Sequence, residues 1–350
     1  SRGQVGGEGH YGIALIGAAQ VENCNRSATC CDMFTGGTDA GCFGGSYACS
    51  GVVGTQEVPI IKDPSTYAPP RSATLGGSVV APYADLFDWG LKAKHACGPA
   101  LRLTASHPRQ AGAAWYMRDQ PVGEGFTTTF TFRLSNPSQR CQVMDGTYTK
   151  CRSRGADGLA FVIQNEGLES LGEGGSGLGY SGIGNALAIE FDTFYNPELL
   201  DPYENHVSVN TRGWRERIES NTTYSLSYSS RIPDLTDGVH TVKLVYTPTF
   251  DPSVLTTGRF SPSGYVGDFL QNKNFPVGGM GDWGSGIGLL HVYVDDMKLP
   301  VLSTPLNLEA TLELNHGRAW VGFTAATGDE TWQVHDILHW EYTSTREVTY

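Results

Sequence analysis

Short stretches in which apolar and polar residues alternate recur from about residue 72 to the C-terminus. Thr, Val, Phe, Tyr and Trp dominate them, and turn-forming residues such as Gly, Pro, Asn and Asp separate them. A period of two with β-branched and aromatic residues is typical of strands. No amphipathic stretch of three helical turns stands out, so the pattern predicts an antiparallel all-β sandwich. The predicted strands are LRLTAS, GFTTTFTFRL, GLAFVIQ, ALAIEFDTF, HVSVN, HTVKLVY, LLHVYVDD, AWVGFTAAT and ILHWEYT.

The composition divides the chain into three parts. Residues 1–71 are rich in Gly and Cys and lack clear periodicity, which indicates an appended, disulfide-rich N-terminal extension. Residues 72–345 form the predicted sandwich domain, and residues 346–350 a short C-terminal tail. Within the sandwich, residues 250–286 are bounded by Gly and Pro and predict a long loop, a kind of segment that usually carries function or disorder.

Composition and charge exclude several classes of protein. The chain has 350 residues, of which 39% are hydrophobic and 17% charged, enough for one large β domain or two smaller units. A net charge of −12 argues against a nucleic-acid partner, because phosphate binding needs clustered Lys and Arg. The apolar run YGIALIGAA is far shorter than a membrane span, and no basic segment precedes it. We therefore expect a mature, secreted, soluble chain.

The cysteines point to disulfides rather than zinc. Paired C-x-x-C spacings are absent, and an even count suits an oxidising compartment. Cys141 and Cys151 flank QVMDGTYTK, whose Asp-Gly pair favours a tight reversal, so we expect a bridge across a hairpin-like loop. The others would pair among themselves, with one N-terminal cysteine reaching Cys97, and their pattern stays open. Besides these three, the chain contains Cys24, Cys30, Cys31, Cys42 and Cys49.

Two acceptor sequons agree with secretion. Asn25 begins Asn-Arg-Ser and Asn221 begins Asn-Thr-Thr, whereas the sequon at Asn136 is blocked by its proline. We therefore expect glycosylation at Asn25 and Asn221.

An acidic stretch follows the strand ALAIEFDTF. In a strand, Glu190 and Asp192 emerge on one face while their apolar neighbours enter the core on the other. Two carboxylates one strand repeat apart repel each other unless a cation lies between them, and Asn196, Asp201 and His206 can fold back toward the same point. Oxygen donors suit calcium, whereas carboxylates with an imidazole suit manganese or a similar ion. The alternative is a solvated acidic loop without an ion.

The spacing of this stretch resembles the legume-type (L-type) lectin family, whose fold is a concanavalin-like jelly roll. In that family the pattern E-x-D-x-[aromatic]-x-N, then D-P and a later His, builds a paired calcium and transition-metal site beside a sugar pocket. The matching residues are Glu190, Asp192, Phe194, Asn196, Asp201-Pro202 and His206.

The resemblance also implies which residue holds which ion. Asp192 and Asp201 would bridge both ions. The following residues would complete each side: the Phe194 carbonyl and Asn196 side chain for calcium, and Glu190 and His206 for manganese.

Other stretches repeat the similarity in the family's order, from about residue 72 to 345. They are GAAWYMRDQPVGEGFTTTFTFRL, GADGLAFVIQ, GGSGLGY and VGFTAATGDETWQVHDILHWEYTS. The departures are the Cys-rich N-terminal region, the insertion from Cys141 to Cys151, the long loop after 250 and one extra residue in GGSGLGY.

By the same resemblance, a sugar site lies beside the metals. Asp157 would accept from two sugar hydroxyls, and the Ala156–Asp157 peptide bond is expected to be cis. The remaining contacts would come from a backbone amide of the Gly-rich loop, from the calcium-bound amide, from an aromatic face and from the family's variable loop. The residues assigned to these contacts are Gly175, Gly177, Asn196, Phe194, Asp329 and Glu330.

These expectations favour a lectin that binds extracellular or cell-surface glycans with Ca²⁺ and Mn²⁺. The alternative is a structural subunit of an extracellular coat or filament, and the two functions can coexist. In either case the chain can form a homo-oligomer or a larger extracellular assembly. Glycoside hydrolysis would need two carboxylates flanking a scissile bond. Hydrolases on similar jelly rolls place a second Glu soon after E-x-D, where this chain has Phe194 and Tyr195. We therefore expect no enzymatic activity.

Overall fold

The computed structural model describes residues 13–23, 73–75, 78–80, 99–144, 148–236, 238–249 and 288–345. The strands in these ranges are β1 (Ile13–Gly17), β2 (Gln20–Asn23), β3 (Ala73–Leu75), β4 (Ser78–Val80), β5 (Pro99–Thr104), β6 (Ala111–Tyr116), β7 (Gln120–Pro121), β8 (Phe126–Ser135), β9 (Ser138–Met144), β10 (Tyr148–Arg154), β11 (Gly158–Gln164), β12 (Ala186–Asp192), β13 (His206–Thr211), β14 (Ser225–Ser229), β15 (Val239–Thr247), β16 (Gly288–Val294), β17 (Leu302–Leu306), β18 (Arg318–Ala326) and β19 (Val334–Ser344). The helical elements in the same ranges are α1 (Leu308–Thr311) and the 3₁₀ turns Gly175–Gly177, Pro197–Leu199 and Thr222–Tyr224.

Two antiparallel sheets form a jelly-roll sandwich, as the sequence predicts. The front sheet has the order β1-β6-β18-β11-β12-β13-β14, with β7 added beside β18. The back sheet has the order β17-β16-β15-β8-β19-β5-β2. The hairpins β3-β4 and β9-β10 stand apart from both sheets. Each of the alternating stretches picked out from the sequence lies in a strand of one of the two sheets.

The main core lies between the two sheets, where alternate residues of each strand point inward. On β12, Leu187, Ile189 and Phe191 belong to this core. Phe130 of the back sheet is fully buried, and its ring centroid lies 5.9 Å from that of Phe191 and 5.0 Å from that of Phe323, both on the front sheet. Both contacts are edge-to-face, a geometry that adds to the free energy gained from burial.

A second apolar cluster covers the outer face of the front sheet. Ala186 and Ala188 of β12 belong to it and pack with Leu178 and Tyr180 of the segment that precedes β12. This cover explains why all seven residues of β12 are buried, including the two acids at its end. Carboxylates on this face therefore lie under protein rather than in open solvent.

The N-terminal strands correct the predicted start of the sandwich at residue 72. β1 pairs with β6 at the edge of the front sheet, and β2 pairs with β5 at the edge of the back sheet. Ala14 and Ile16 pack on the outer-face cluster, so the apolar run near the start serves as an edge strand. Isolated short strands far from their partners in sequence carry no local signal of pairing, which is why the sequence alone places them in the extension.

The β9-β10 hairpin agrees with the reversal predicted around Asp-Gly. Cys141 and Cys151 are register partners in it, so their Cα atoms lie directly opposite each other. Opposite positions are close enough for a bridge, and the disulfide itself stays a prediction.

Several sequence-based expectations fall outside the described residues. They concern the remaining cysteines, Asn25, most of residues 1–71, the loop 250–286 and the tail 346–350. In the part of the chain that the structure describes, no helix is long and apolar enough to cross a membrane.

We predict that Phe130→Ala lowers the free energy of unfolding by about 3–5 kcal/mol, because it leaves a cavity among aromatic rings in the main core. Urea denaturation followed by tryptophan fluorescence measures the change. Thr127→Ala, at an exposed position of the same strand, is the control and should shift stability by less than about 0.5 kcal/mol. A loss below about 1 kcal/mol for Phe130→Ala would contradict the core assignment.

Candidate metal centre and carbohydrate pocket

Three neighbouring strands bring the predicted ligands together. In the front sheet, Asp192 is the register partner of Gly158 on β11 and of His206 on β13. Gly158 allows this approach, because its backbone is left-handed (φ 147°) and a Cβ there would lie 2.3 Å from the Phe191 carbonyl oxygen. The Ala156–Asp157 peptide bond is cis, as the resemblance implies.

The transition-metal side of the predicted centre is assembled and buried. Ligand atoms of Glu190, Asp192 and His206 all lie within 4.8 Å of one another. His206 Nδ1 lies 2.8 Å from the Tyr203 carbonyl oxygen, to which it can only donate. This bond leaves Nε2 facing Glu190 Oε1 at 3.1 Å. Two acceptor atoms this close need a proton or a metal ion between them.

The titration of His206 reflects the same arrangement. Burial by itself lowers the pKa of His206, but the hydrogen bond to Glu190 and the charges of Glu190 and Asp201 raise the pKa above its ordinary value. The negative charge that raises this pKa would also attract a cation to the same group of side chains.

The calcium side is built by the loop after β12. Asp192 Oδ1 accepts from the Phe194 backbone N–H at 2.6 Å, and Asp201 Oδ2 accepts from the Asn196 N–H at 2.7 Å. Asn196 Oδ1 is buried and has no hydrogen-bond partner among the described residues. An orphaned amide oxygen beside two carboxylates fits a hard cation such as calcium. The role of the Phe194 carbonyl oxygen as a ligand stays a prediction.

Burial and like charges act on these acids in the same direction. Burial, then the charges of Glu190 and Asp201, raise the pKa of Asp192 well above its ordinary value. Burial also raises the pKa of Asp201 to about 6. Without a cation, the cluster favours protonated carboxyl groups, and a divalent ion would remove both the repulsion and the protons.

Three residues around Glu190 were missed by the sequence analysis. Ser208 and Asn210 of β13 and Tyr180 of the Gly-rich segment all donate to its carboxylate. Ser208 and Asn210 lie two and four residues after His206 and therefore share its face of the strand, a signal that HVSVN contains. Tyr180 has no comparable signal.

A cavity of about 570 Å³ opens beside the metal cluster. It is lined by Arg109, Asp157, Gly174, Gly175, Ser176, Phe194, Asn196, Glu198, Thr327, Gly328, Asp329, Glu330 and Thr331. All the predicted sugar contacts line it except Gly177, which is buried in the 3₁₀ turn. The structure thus brings residues from five separate parts of the chain to one opening.

Asp157 is held rigidly at the base of this cavity. Its carbonyl oxygen accepts from the N–H and the hydroxyl of Thr193, and its N–H donates to Ala326. Its side chain is only 3% exposed, and Oδ2 has no hydrogen-bond partner among the described residues. Burial, then the charges of Asp329 and Asp201, raise the pKa of Asp157 to about 7. Asp157 Oδ2 therefore lacks the hydrogen-bond donor that would stabilise the charged form of the carboxyl group.

The wall formed by residues 327–331 is braced by the loop before β6. Arg109 Nη2 donates to Asp329 Oδ2 at 3.1 Å, and the Arg109 N–H donates to the Gly328 carbonyl. The Thr327 hydroxyl donates to the His107 carbonyl. A Cβ at Gly328 would lie 3.2 Å from Asp157 Oδ2, so a larger residue there would crowd this oxygen.

Phe194 offers one ring face rather than two. The Arg154 guanidinium lies over the ring, 4.5 Å from its centroid. The opposite face is the one left for an apolar ligand surface.

The predicted glycosylation site at Asn221 lies at a surface turn. Its Oδ1 accepts from the Thr223 N–H at 2.8 Å, which begins the 3₁₀ turn. Glycosylation there stays a prediction.

A family model described as the legume lectin domain matches residues 89–244 and 287–349, which together span more than half of the chain. The chain belongs to the legume lectin domain family. The break in the match covers the predicted long loop at residues 250–286.

Curated relatives carry lectin names at low identity. The 2-acetamido-2-deoxy-D-galactose-binding seed lectin 2 of Cytisus scoparius is 26% identical over 276 residues, 74% of this chain and 84% of that protein. A lectin-like protein of Arabidopsis thaliana is 33% identical over 109 residues, 28% of this chain, and the match spans about a third (34%) of that relative. Among solved structures, a peanut lectin with a nine-residue peptide has a TM-score of 0.46 and 21% identity, covering 71% of this chain and 87% of that one.

We predict that the metal-free protein becomes less stable as the pH rises from about 4 to 7. A carboxyl group whose pKa is raised in the folded state contributes stability below its unfolded pKa and loses it as the pH passes the folded pKa. For Asp201 and Asp157 that loss spans the interval from 3.8 to about 6 and about 7. His206, with its raised pKa, acts in the same direction.

Thermal unfolding in chelator across this pH series measures the effect, and calcium at pH 7 should restore the lost stability. Asp201→Asn should flatten the pH dependence, because it removes one of the titrating groups. A melting temperature that rises steadily from pH 4 to 7 in chelator would contradict the prediction.

Proposed function

We propose that this chain is a secreted lectin that binds glycans in the cavity beside Asp157, with calcium and a transition-metal ion such as Mn²⁺ in the adjoining cluster. The observation that carries the proposal is the buried Asp157 carboxylate, which lines a cavity next to the acids of the predicted metal centre and whose Oδ2 has no hydrogen-bond partner among the described residues. An unpaired buried carboxylate oxygen is costly, and sugar hydroxyls supply the donors that it lacks.

Each residue has a distinct task in this proposal. Asp157 accepts from two sugar hydroxyls, the Asn196 amide donates, and the Gly175 N–H donates from the opposite wall. The exposed face of Phe194 packs on the apolar side of the ring. The ions supply fixed positive charge that holds Asn196 and the cluster acids in place.

The ligand class follows from the same lining. A pocket with a buried carboxylate, two assigned donors and one aromatic face suits a pyranose, whose ring has polar edges and an apolar face. The Cytisus scoparius relative is named for 2-acetamido-2-deoxy-D-galactose. That sugar and free galactose are therefore the first probes for this chain.

Binding without catalysis is part of the proposal. The lectin names of the relatives support it. Because Glu198, Asp329 and Glu330 also line the cavity, incubation with p-nitrophenyl glycosides is a direct check, and release of nitrophenol above the rate of an Asp157→Asn variant would contradict it. The alternative role in a coat or filament depends on residues 1–71 and 250–286, which lie largely outside the described ranges.

We predict that Asp157→Asn weakens glycan binding about 100-fold or more, because it turns half of a charged two-point acceptor into a donor. Calcium occupancy should be unchanged, because Asp157 is assigned to the sugar alone. Asn196→Ala should lower both glycan affinity and calcium occupancy, because Asn196 Oδ1 is assigned to calcium and its side-chain NH₂ group to the sugar.

Glycan-array binding and isothermal calorimetry with calcium measure the two effects. Asp234→Asn is the matched control at an exposed position, where an amide oxygen can accept the same hydrogen bond from Thr236. Equal loss of calcium in the Asp157 and Asn196 variants would show that the division of tasks is wrong. If the wild-type chain still binds glycans fully after long incubation in acidic chelator, binding does not depend on metal ions and that part of the proposal is wrong.

A further inference from the structure

The carboxylate of Glu190 is held at both oxygens by buried side chains. Oε1 accepts from the Ser208 hydroxyl at 2.9 Å and lies 3.1 Å from His206 Nε2. Oε2 accepts from the Tyr180 hydroxyl and from Asn210 Nδ2, the latter at 3.1 Å. All five side chains are at most 1% exposed, so water does not compete for these bonds.

The direction of the Tyr180 hydroxyl is fixed by its two neighbours. Asn210 Nδ2 donates to the phenol oxygen at 2.7 Å. The phenol has a single hydrogen, which goes to Glu190 Oε2. The ring itself packs in the apolar cluster on the outer face of the front sheet. Tyr180 therefore acts as a rigid strut with a single polar contact toward Glu190.

This strut leaves the other oxygen of Glu190 turned toward His206. An octahedral ion with ligand bonds of about 2.1 Å places neighbouring ligand atoms about 3 Å apart. The 3.1 Å between Glu190 Oε1 and His206 Nε2 meets that requirement. If Oε2 were released, the carboxylate could rotate about its last side-chain bond, and the pair would lose this spacing.

Tyr180 also belongs to the segment that forms one wall of the cavity. Gly174, Gly175 and Ser176 line the cavity, and Tyr180 follows four residues after Ser176. Backbone bonds bind this segment to itself, with Gly179 N–H donating to the Glu173 carbonyl at 2.8 Å. Tyr180 and the glycines that line the cavity thus belong to one segment held by its own backbone hydrogen bonds.

We propose that Tyr180 is the positioning residue of the transition-metal side of the centre, and that it couples ion binding to the Gly-rich wall of the cavity. The inference rests on the proposed metal-dependent function. Groups that orient a metal ligand without touching the metal typically contribute 10- to 100-fold in affinity. Tyr180 and Asn210 occupy that position toward Glu190.

The test is a titration of the full chain with Mn²⁺, with the free ion measured by electron paramagnetic resonance. Tyr180→Phe keeps the ring and removes the hydroxyl, and it should weaken Mn²⁺ binding by about 10- to 100-fold. Tyr246→Phe is the matched control, because it removes a buried phenol that accepts from the Leu308 N–H at the main core, and its Mn²⁺ affinity should equal that of the wild type.

Hydrogen exchange of residues 172–181 provides a second readout. In the wild type, Mn²⁺ should slow exchange of these amides, because the ion fixes Glu190 and, through the strut, the wall. In Tyr180→Phe at saturating Mn²⁺ the slowing should be lost. A role in packing alone would leave the response to the ion unchanged.

Equal Mn²⁺ affinity in Tyr180→Phe and the wild type would overturn the inference, as would an equal loss in Tyr246→Phe. If Tyr180→Phe does not fold, Asn210→Ala removes the other donor to Oε2, and it should weaken Mn²⁺ binding in the same range. Wild-type protein that binds glycans but no Mn²⁺ would overturn the inference while leaving sugar binding in place. Wild-type protein that binds Mn²⁺ but no glycan would contradict the proposed function. The Mn²⁺ affinities of the Tyr180 and Asn210 variants would then decide whether Tyr180 positions Glu190.

Discussion

Buried acids of like charge meet at one end of the front sheet, and their mutual repulsion governs how the site is built. Asp157, Glu190, Asp192 and Asp201 are all at most 8% exposed and approach one another because β11, β12 and β13 are adjacent. Burial removes these carboxylates from water, and their negative charges repel one another. Such a cluster persists only where donors and cations offset its cost. The Ser208 hydroxyl, which donates to Glu190, and the Asn196 N–H, which donates to Asp201, supply part of this offset.

The two apolar clusters make this arrangement possible. The main core fixes the register of the front sheet from below, through residues such as Ile189 and Phe191. The outer cluster closes over the same strands from above, so the acids of β12 lie in a polar gap between two packed layers. A sheet with one bare face would leave Glu190 in solvent, where a single carboxylate has little affinity for an ion.

The sequence carries the fold and the ligands of the metal centre in different ways. Strands such as β8, β12 and β19 can be predicted because apolar and polar residues alternate along them. The E-x-D pattern can be recognised because both acids lie on one face of the same strand. Contacts between distant segments leave no local trace. Arg109 reaches Asp329 across 220 residues, and Tyr180 meets Asn210 only after two strands have paired. The edge strands β1 and β2 were missed for the same reason, whereas the position of Asp157 came from the family resemblance rather than from periodicity.

Gly328 is a position in the cavity wall where the size of the side chain matters. A Cβ at this position would lie 3.2 Å from Asp157 Oδ2 and 3.1 Å from the Thr331 carbonyl oxygen, so a larger residue would force one of the two groups to shift. The sandwich and the acids of the metal centre have no part in that change. Variation at this one position can therefore alter the shape of the cavity while the fold is kept.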